Sequence, residues 1–158
     1  MPHLHDKIDF TVEVFVVFKN KVLLRKHDKY KKWLSVGGHI ELDEDPNEAA
    51  IREVKEEVGL DIILDDSLKI FREEDDTKEL IPPYFLNKNR ISDNHEHITL
   101  VYFATSTTNI LFETIDAEKS EECRWFSKEE LLTNNELIPN IKFYALKALE
   151  NYLHKNSQ

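Results

Sequence analysis

A chain of 158 residues has room for one domain with a substantial hydrophobic core, and we expect residues 1–158 to form a single domain. Its 21 Lys and Arg against 31 Asp and Glu leave a formal charge of −10, which argues against non-specific binding to a nucleic-acid backbone. Cys123 is the single cysteine, so an internal disulfide is excluded, and no apolar run approaches membrane-spanning length.

The opening MPHLHDK lacks the apolar stretch of a secretion signal, and with the lone cysteine it predicts a cytoplasmic protein. Phe10 to Phe18 (FTVEVFVVF) is rich in β-branched and aromatic residues and reads as a strand buried on both faces. Lys19-Asn20-Lys21 reads as a turn and Val22 to Arg25 as the returning strand. A basic loop from His27 to Lys32 follows. Lys26, Lys29, Lys31 and Lys32 gather positive charge in an otherwise acidic chain, suited to steering phosphates, and Arg25 and Lys26 are candidate substrate contacts. Paired glycines at Gly37 and Gly38 allow close backbone approach to a ligand, and Ile40 and Leu42 alternate with polar neighbours as a short strand.

Asp45-Pro46-Asn47-Glu48 is a helix start, with Asp45 as N-cap, Pro46 at the first helical position and Glu48 closing a capping box. Gly59 suits the left-handed position that ends a helix, so the helix runs from about Pro46 to Val58. Ala50, Ile51, Val54 and Val58 form its core face. The adjoining arc carries Glu53, Glu56 and Glu57, spaced i, i+3 and i+4, whose mutual repulsion a divalent cation would reverse. All-oxygen ligation suits Mg²⁺ or Mn²⁺.

Leu60 to Leu64 and Leu68 to Phe71 read as further strands, with the charged stretch REEDDTK from Arg72 as a loop. Leu80 to Arg90, interrupted by Pro82 and Pro83, predicts an irregular segment forming a wall of a substrate pocket, with Tyr84 and Phe85 as candidates for stacking on a base. His95 and His97 lead into a strand from Ile98 to Thr105. They share a face of it, but no third ligand of the same type is apparent in the sequence, so we read them as structural. Acidic residues from Glu118 precede a strand ending near Phe126, Ser127 and Glu130 form a capping box, and Asn140 to Leu153 has the spacing of an amphipathic closing helix. Strand groups alternating with helices imply an α/β fold with a mixed sheet covered on both faces.

The stretch Gly38 to Leu60, GHIELDEDPNEAAIREVKEEVGL, resembles the Nudix box, G-x5-E-x7-R-E-U-x-E-E-x-G-U with U apolar, at every fixed position. The chain departs from many relatives at Val36, where they have proline, and at Asp43, where they have glycine; neither position carries chemistry. The resemblance implies an α/β/α sandwich and a MutT-like hydrolase that uses divalent cations, Mg²⁺ or Mn²⁺, to cleave a nucleoside diphosphate linked to another group. It implies that Glu56 and Glu57 ligate metal, that Glu53 is a further ligand or the base, and that Arg52 orients Glu53. Gly37, through its carbonyl, and Glu44 would support the loop and the metal. A further acid is expected from Glu118, Glu121 or Glu122, of which we choose Glu121.

The expected reaction converts a nucleoside triphosphate to a monophosphate and pyrophosphate, with ADP-ribose or a nucleotide sugar as the alternative substrate. The expected partner is a small nucleotide, without nucleic acid or membrane, and the chain is expected to be a monomer or homodimer. Two rivals come from other classes. A non-catalytic nucleotide sensor would have little use for the intact Arg52, Glu53, Glu56 and Glu57 set. An isoprenoid diphosphate isomerase would use a cysteine near the box, whereas the only cysteine here is Cys123.

Overall fold

The computed structural model describes residues 7–27, 30–70, 76–112 and 120–157, with the backbone alone at 120 and 121. Among these residues, eight strands make one mixed sheet. The first, β1 (Ile8–Phe18), turns at Lys19 and Asn20 into β2 (Lys21–His27). Both turn residues have positive φ, 42° and 63°, the geometry whose twist matches a tight hairpin.

Next come β3 (Lys32–Leu34), β4 (Val36–His39), the helix α1 (Pro46–Val58) and β5 (Ile62–Leu64). The chain continues through β6 (Phe85–Ser92), β7 (His95–Ser106) and β8 (Ser120–Ser127). It closes with α2 (Lys128–Thr133) and α3 (Pro139–Asn156).

β1 and β7 lie side by side in parallel from Ile8↔Glu96 to Val17↔Thr105, and the other pairings are antiparallel. The far edge of β1 is shared. β2 pairs with it only at Val17 and Phe18, whereas β4 pairs from Thr11 to Val14. The sheet therefore parts between β1 and β2, with β3 following β2 and β4 following β1. The opening becomes the cavity described below.

Alternation along β1 feeds two cores. Val12, Val14 and Val16 pack with Ala49, Ala50, Val54 and Val58 of α1, while Phe15 and Val17 pack with Phe103, Phe126 and the buried face of α3. Helices thus cover both sheet faces, giving the expected α/β/α sandwich. Asp45 caps α1 through Asn47 and Glu48, with Glu48 returning the bond, and Gly59 ends the helix at φ 73°. Ser127 and Glu130 repeat the capping box on α2.

Four local expectations change. Ala49 rather than Ile51 joins the α1 core face, and Ile51 is 45% exposed, because the buried arc runs from Ala49 through the largely buried Glu53 and Glu57 to Val58 and Ile51 falls just past its edge. The strand expected at Ile40 and Leu42 stops at His39, and Leu42 stands almost wholly in solvent. Leu68 to Ile70 is a turn and exposed connection rather than a strand, while Phe71 lies outside the described residues. Phe85 to Arg90 forms much of β6, because Pro82 and Pro83 lie before it and leave its ladder N–H groups intact.

Candidate active site

Helix α1 places the box carboxylates against β4, and the paired glycines make that approach possible. Gly37 has φ +152°, and a Cβ there would fall 2.0 Å from the Val12 carbonyl oxygen. A Cβ on Gly38 would fall 2.4 Å from Glu53 Oε1. The backbone N–H of Gly37 donates to Glu57 Oε2 at 3.0 Å. Glu57 Oε1 meets Arg25 Nη2 of β2 at 2.6 Å, with both side chains buried.

Arg52 fans across the rest of the acidic face. Its Nε and Nη2 donate to the two Glu44 oxygens at 2.9 and 2.6 Å, and Nη1 donates to Glu53 Oε1 and Glu56 Oε2, each at 3.0 Å. Nη2 also donates to the carbonyl of His39 at 3.0 Å, tying helix to strand. The hydrogen bonds from Arg52 hold Glu44 below the usual carboxylate range, and Glu44 in turn leads the groups that raise the guanidinium. Glu44 Oε1 also accepts from the Glu41 N–H, fixing the loop before α1. Burial pushes the Glu53 carboxyl up despite the opposing charge of Arg52.

Apart from Glu44, these residues line a cavity of about 1110 Å³. Its wall brings together Arg25, Gly37, Gly38, Arg52, Glu53, Glu56 and Glu57 from three separate elements, β2, β4 and α1. Lys26 is not on this wall; it sits in register with Trp33 and Glu122. Tyr84 and Phe85 also lie apart from it. Tyr84 stacks on Phe103 at 4.3 Å and Phe85 packs on Tyr144 and Phe143 under α3, so both pin β6 to the core. Glu118 and the side chain of Glu121 fall outside the described residues, and Glu122 is exposed on β8.

The sequence reading missed two features of this cavity. Glu13 of β1 faces into it, with Oε2 shielded from solvent and making no hydrogen bond, and burial raises its pKa to about 7. The signal was present as the one charged residue inside FTVEVFVVF. His27 and Tyr30 line the cavity with their ring centroids 4.7 Å apart and the planes tilted at 39°, and Tyr30 is half exposed, which makes it an aromatic surface that Tyr84 and Phe85 do not offer.

The donor set suits a hard divalent cation. Three carboxylates converge from one helix face, a glycine leaves room for Glu53, and burial of Glu53 leaves its negative charge poorly solvated. The NUDIX domain family model matches residues 9–147. This chain belongs to the Nudix family. It is similar to the structure of a NUDIX-family hydrolase from Clostridium perfringens, with 40% identity over 91% of this chain and 97% of that one and a TM-score of 0.79.

The fold of this Nudix hydrolase also resembles that of a MutT protein from Methanosarcina mazei Go1, at 18% identity, 99% and 100% coverage and a TM-score of 0.65. An ADP-ribose pyrophosphatase from Streptococcus suis shares the fold at 13% identity, 91% coverage of each chain and a TM-score of 0.56. Comparison with curated proteins gave no match. The family and its hydrolase relatives make the chain a Nudix-type pyrophosphohydrolase acting on small nucleotides. Among the described residues, no helix is long and apolar enough to cross a membrane.

Proposed function

We propose that this Nudix hydrolase cleaves a nucleoside triphosphate to a nucleoside monophosphate and pyrophosphate. The observation that carries the reading is the convergence of Glu53, Glu56 and Glu57 with the Gly37–Gly38 backbone on one cavity wall. Magnesium ions held by these carboxylates would neutralise the diphosphate and acidify the attacking water.

The protein's own residues do the rest. Glu53, raised by burial and oriented by Arg52, takes the water proton as the water oxygen attacks phosphorus. The bond that breaks is the phosphoanhydride, and its bridging oxygen leaves on pyrophosphate. Arg25 fixes Glu57 from behind and contributes positive charge to the phosphate end of the cavity. Tyr30 and His27 offer the base a stacking surface, and the protonated form of Glu13 offers it a hydrogen-bond donor. We assign the chain to the cytoplasm, with no nucleic-acid or membrane partner, as a monomer or homodimer.

A fold shared with an ADP-ribose pyrophosphatase keeps a second substrate class open to test. Product analysis with Mg²⁺ across nucleoside triphosphates, ADP-ribose and nucleotide sugars separates the two. Pyrophosphate release from a triphosphate, abolished by chelator, is the expected result. Turnover of ADP-ribose alone would replace the triphosphate reading, and saturable nucleotide binding with no turnover would convert the chain to a sensor.

A further inference from the structure

A second group of ligand-forming side chains lies on the other face of β4. Successive strand residues point to opposite faces. A Cβ on Gly38 would strike Glu53 of α1, so the side chain of His39 faces away from that helix. His39 sits in register with Thr11, and Asp9, two residues earlier on the same face of β1, sits in register with His97. His95, two residues before His97 on β7, completes the group.

The four side chains converge. One ligand atom from each of Asp9, His39, His95 and His97 lies within 4.8 Å of all the others. His95 Nε2 and His97 Nε2 are 2.9 Å apart, and Asp9 Oδ2 is 3.4 Å from His95 Nε2 and 3.6 Å from His39 Nε2. A tetrahedral ion with arms of about 2.0–2.1 Å requires ligand atoms roughly 3.3 Å apart. The three measured separations straddle that value. We propose that Asp9, His39, His95 and His97 form a binding site for a divalent transition metal of the zinc class, separate from the carboxylate site of the box.

The chemistry separates the two sites. Imidazole nitrogen with one carboxylate suits Zn²⁺ and its neighbours, whereas the all-carboxylate face of α1 suits Mg²⁺. Asp9 argues against an anion as the occupant, because its carboxylate would repel one. Four protein ligands make a closed site, structural rather than catalytic. The ion cross-links β1, β4 and β7 at the cavity mouth, where the carbonyl of His39 anchors Arg52.

The test is zinc retention by the full-length, tag-free protein after chelator treatment and reloading, measured by elemental analysis with Mg²⁺ in large excess to fill the box. One zinc per chain is expected, retained by Glu57→Gln and lost by His95→Asn/His97→Asn. No zinc retained under excess Mg²⁺, or zinc lost by Glu57→Gln and kept by the histidine double variant, would overturn the site. Co²⁺ loading of the unaltered protein is the second measurement, independent of whether the double variant folds. Intense visible bands of tetrahedral Co²⁺ support the site, and only the weak bands of octahedral Co²⁺ sink it. Neither readout depends on the hydrolase reading being right.

Discussion

Arg25 and Glu57 form a buried ion pair, Nη2 to Oε1 at 2.6 Å, with side chains only 7% and 9% exposed. They come from β2 and α1 and tie the helix to the strand beyond the opening in the sheet. Removing one partner of a buried pair leaves the other charge poorly compensated, at a cost of about 3–5 kcal/mol. Arg25→Met should therefore lower the unfolding free energy obtained from urea denaturation by that order in the presence of chelator. Mg²⁺ should restore part of the loss, since an ion that binds only the folded state stabilises it. An Arg25→Met protein as stable as the parent in chelator would contradict the buried-pair account.

Glu57→Gln tests the box directly. It keeps the shape of the side chain but removes the charge proposed to hold magnesium. Loss of an outer-shell partner of a metal site typically costs about 10–100-fold, and a direct ligand should cost more. Turnover should fall by more than about a hundredfold while the far-ultraviolet circular dichroism is unchanged. Parental turnover in this variant would remove Glu57 from the proposed metal site.

Gly38→Ala separates geometry from stability. The new methyl would sit 2.4 Å from Glu53 Oε1, and what must move is the far end of a flexible side chain. Thermal unfolding should shift little, while kcat should drop by about tenfold or more as Glu53 leaves its position beside Arg52. Equal kcat in the two proteins would show that the position of Glu53 is not critical.

Glu13 makes a pH prediction. Its pKa rises from 4.5 to about 7 on folding, through burial. Between those values the folded chain keeps a proton that the unfolded chain has lost, so stability falls as pH rises through this window and levels off above it. The full effect is at most roughly 3 kcal/mol, present above about pH 7 and absent below about pH 4.5. Glu13→Gln should remove the slope, so without divalent cation the variant gains on the parent at pH 8 and not at pH 4. Parallel stability profiles from urea unfolding would show that Glu13 ionises without cost.

Glu53 should set the acid limb of the rate profile. The carboxylate form of Glu53 is the proposed base, so kcat/KM should decline on acidification as that carboxylate takes up a proton. Glu53→Gln should lower kcat and flatten that limb. A limb unchanged in the variant would transfer the base role to another acid, with Glu121 the next to test.

Local patterns made much of this protein legible. The capping residues Asp45 and Glu48, the left-handed Gly59 and the Ser127–Glu130 box act within a few residues of chain, so their geometry follows from their spacing. The converging Glu53, Glu56 and Glu57 are likewise a property of one helix. Ile51 was misplaced because it and Ala49 lie on opposite flanks of the apolar arc, and packing on the sheet, which also covers most of Glu53 and Glu57, decided between them. Tyr84 and Phe85 looked available because nothing local to them says that α3 lies over β6.

The sequence by itself determined most of the elements, the ends of α1 and its acidic face, because each depends on contacts between near neighbours. The tertiary structure alone decided what meets across them. The parting of β1 and β2 opens the cavity, aims Arg25 at Glu57 and buries Glu13 inside it. The register of β4 and β7 on β1 brings His39 and Asp9 to His95 and His97, where the sequence showed no third ligand. Strand pairing over long separations is chosen by the burial of the whole sheet, and no local stretch encodes it.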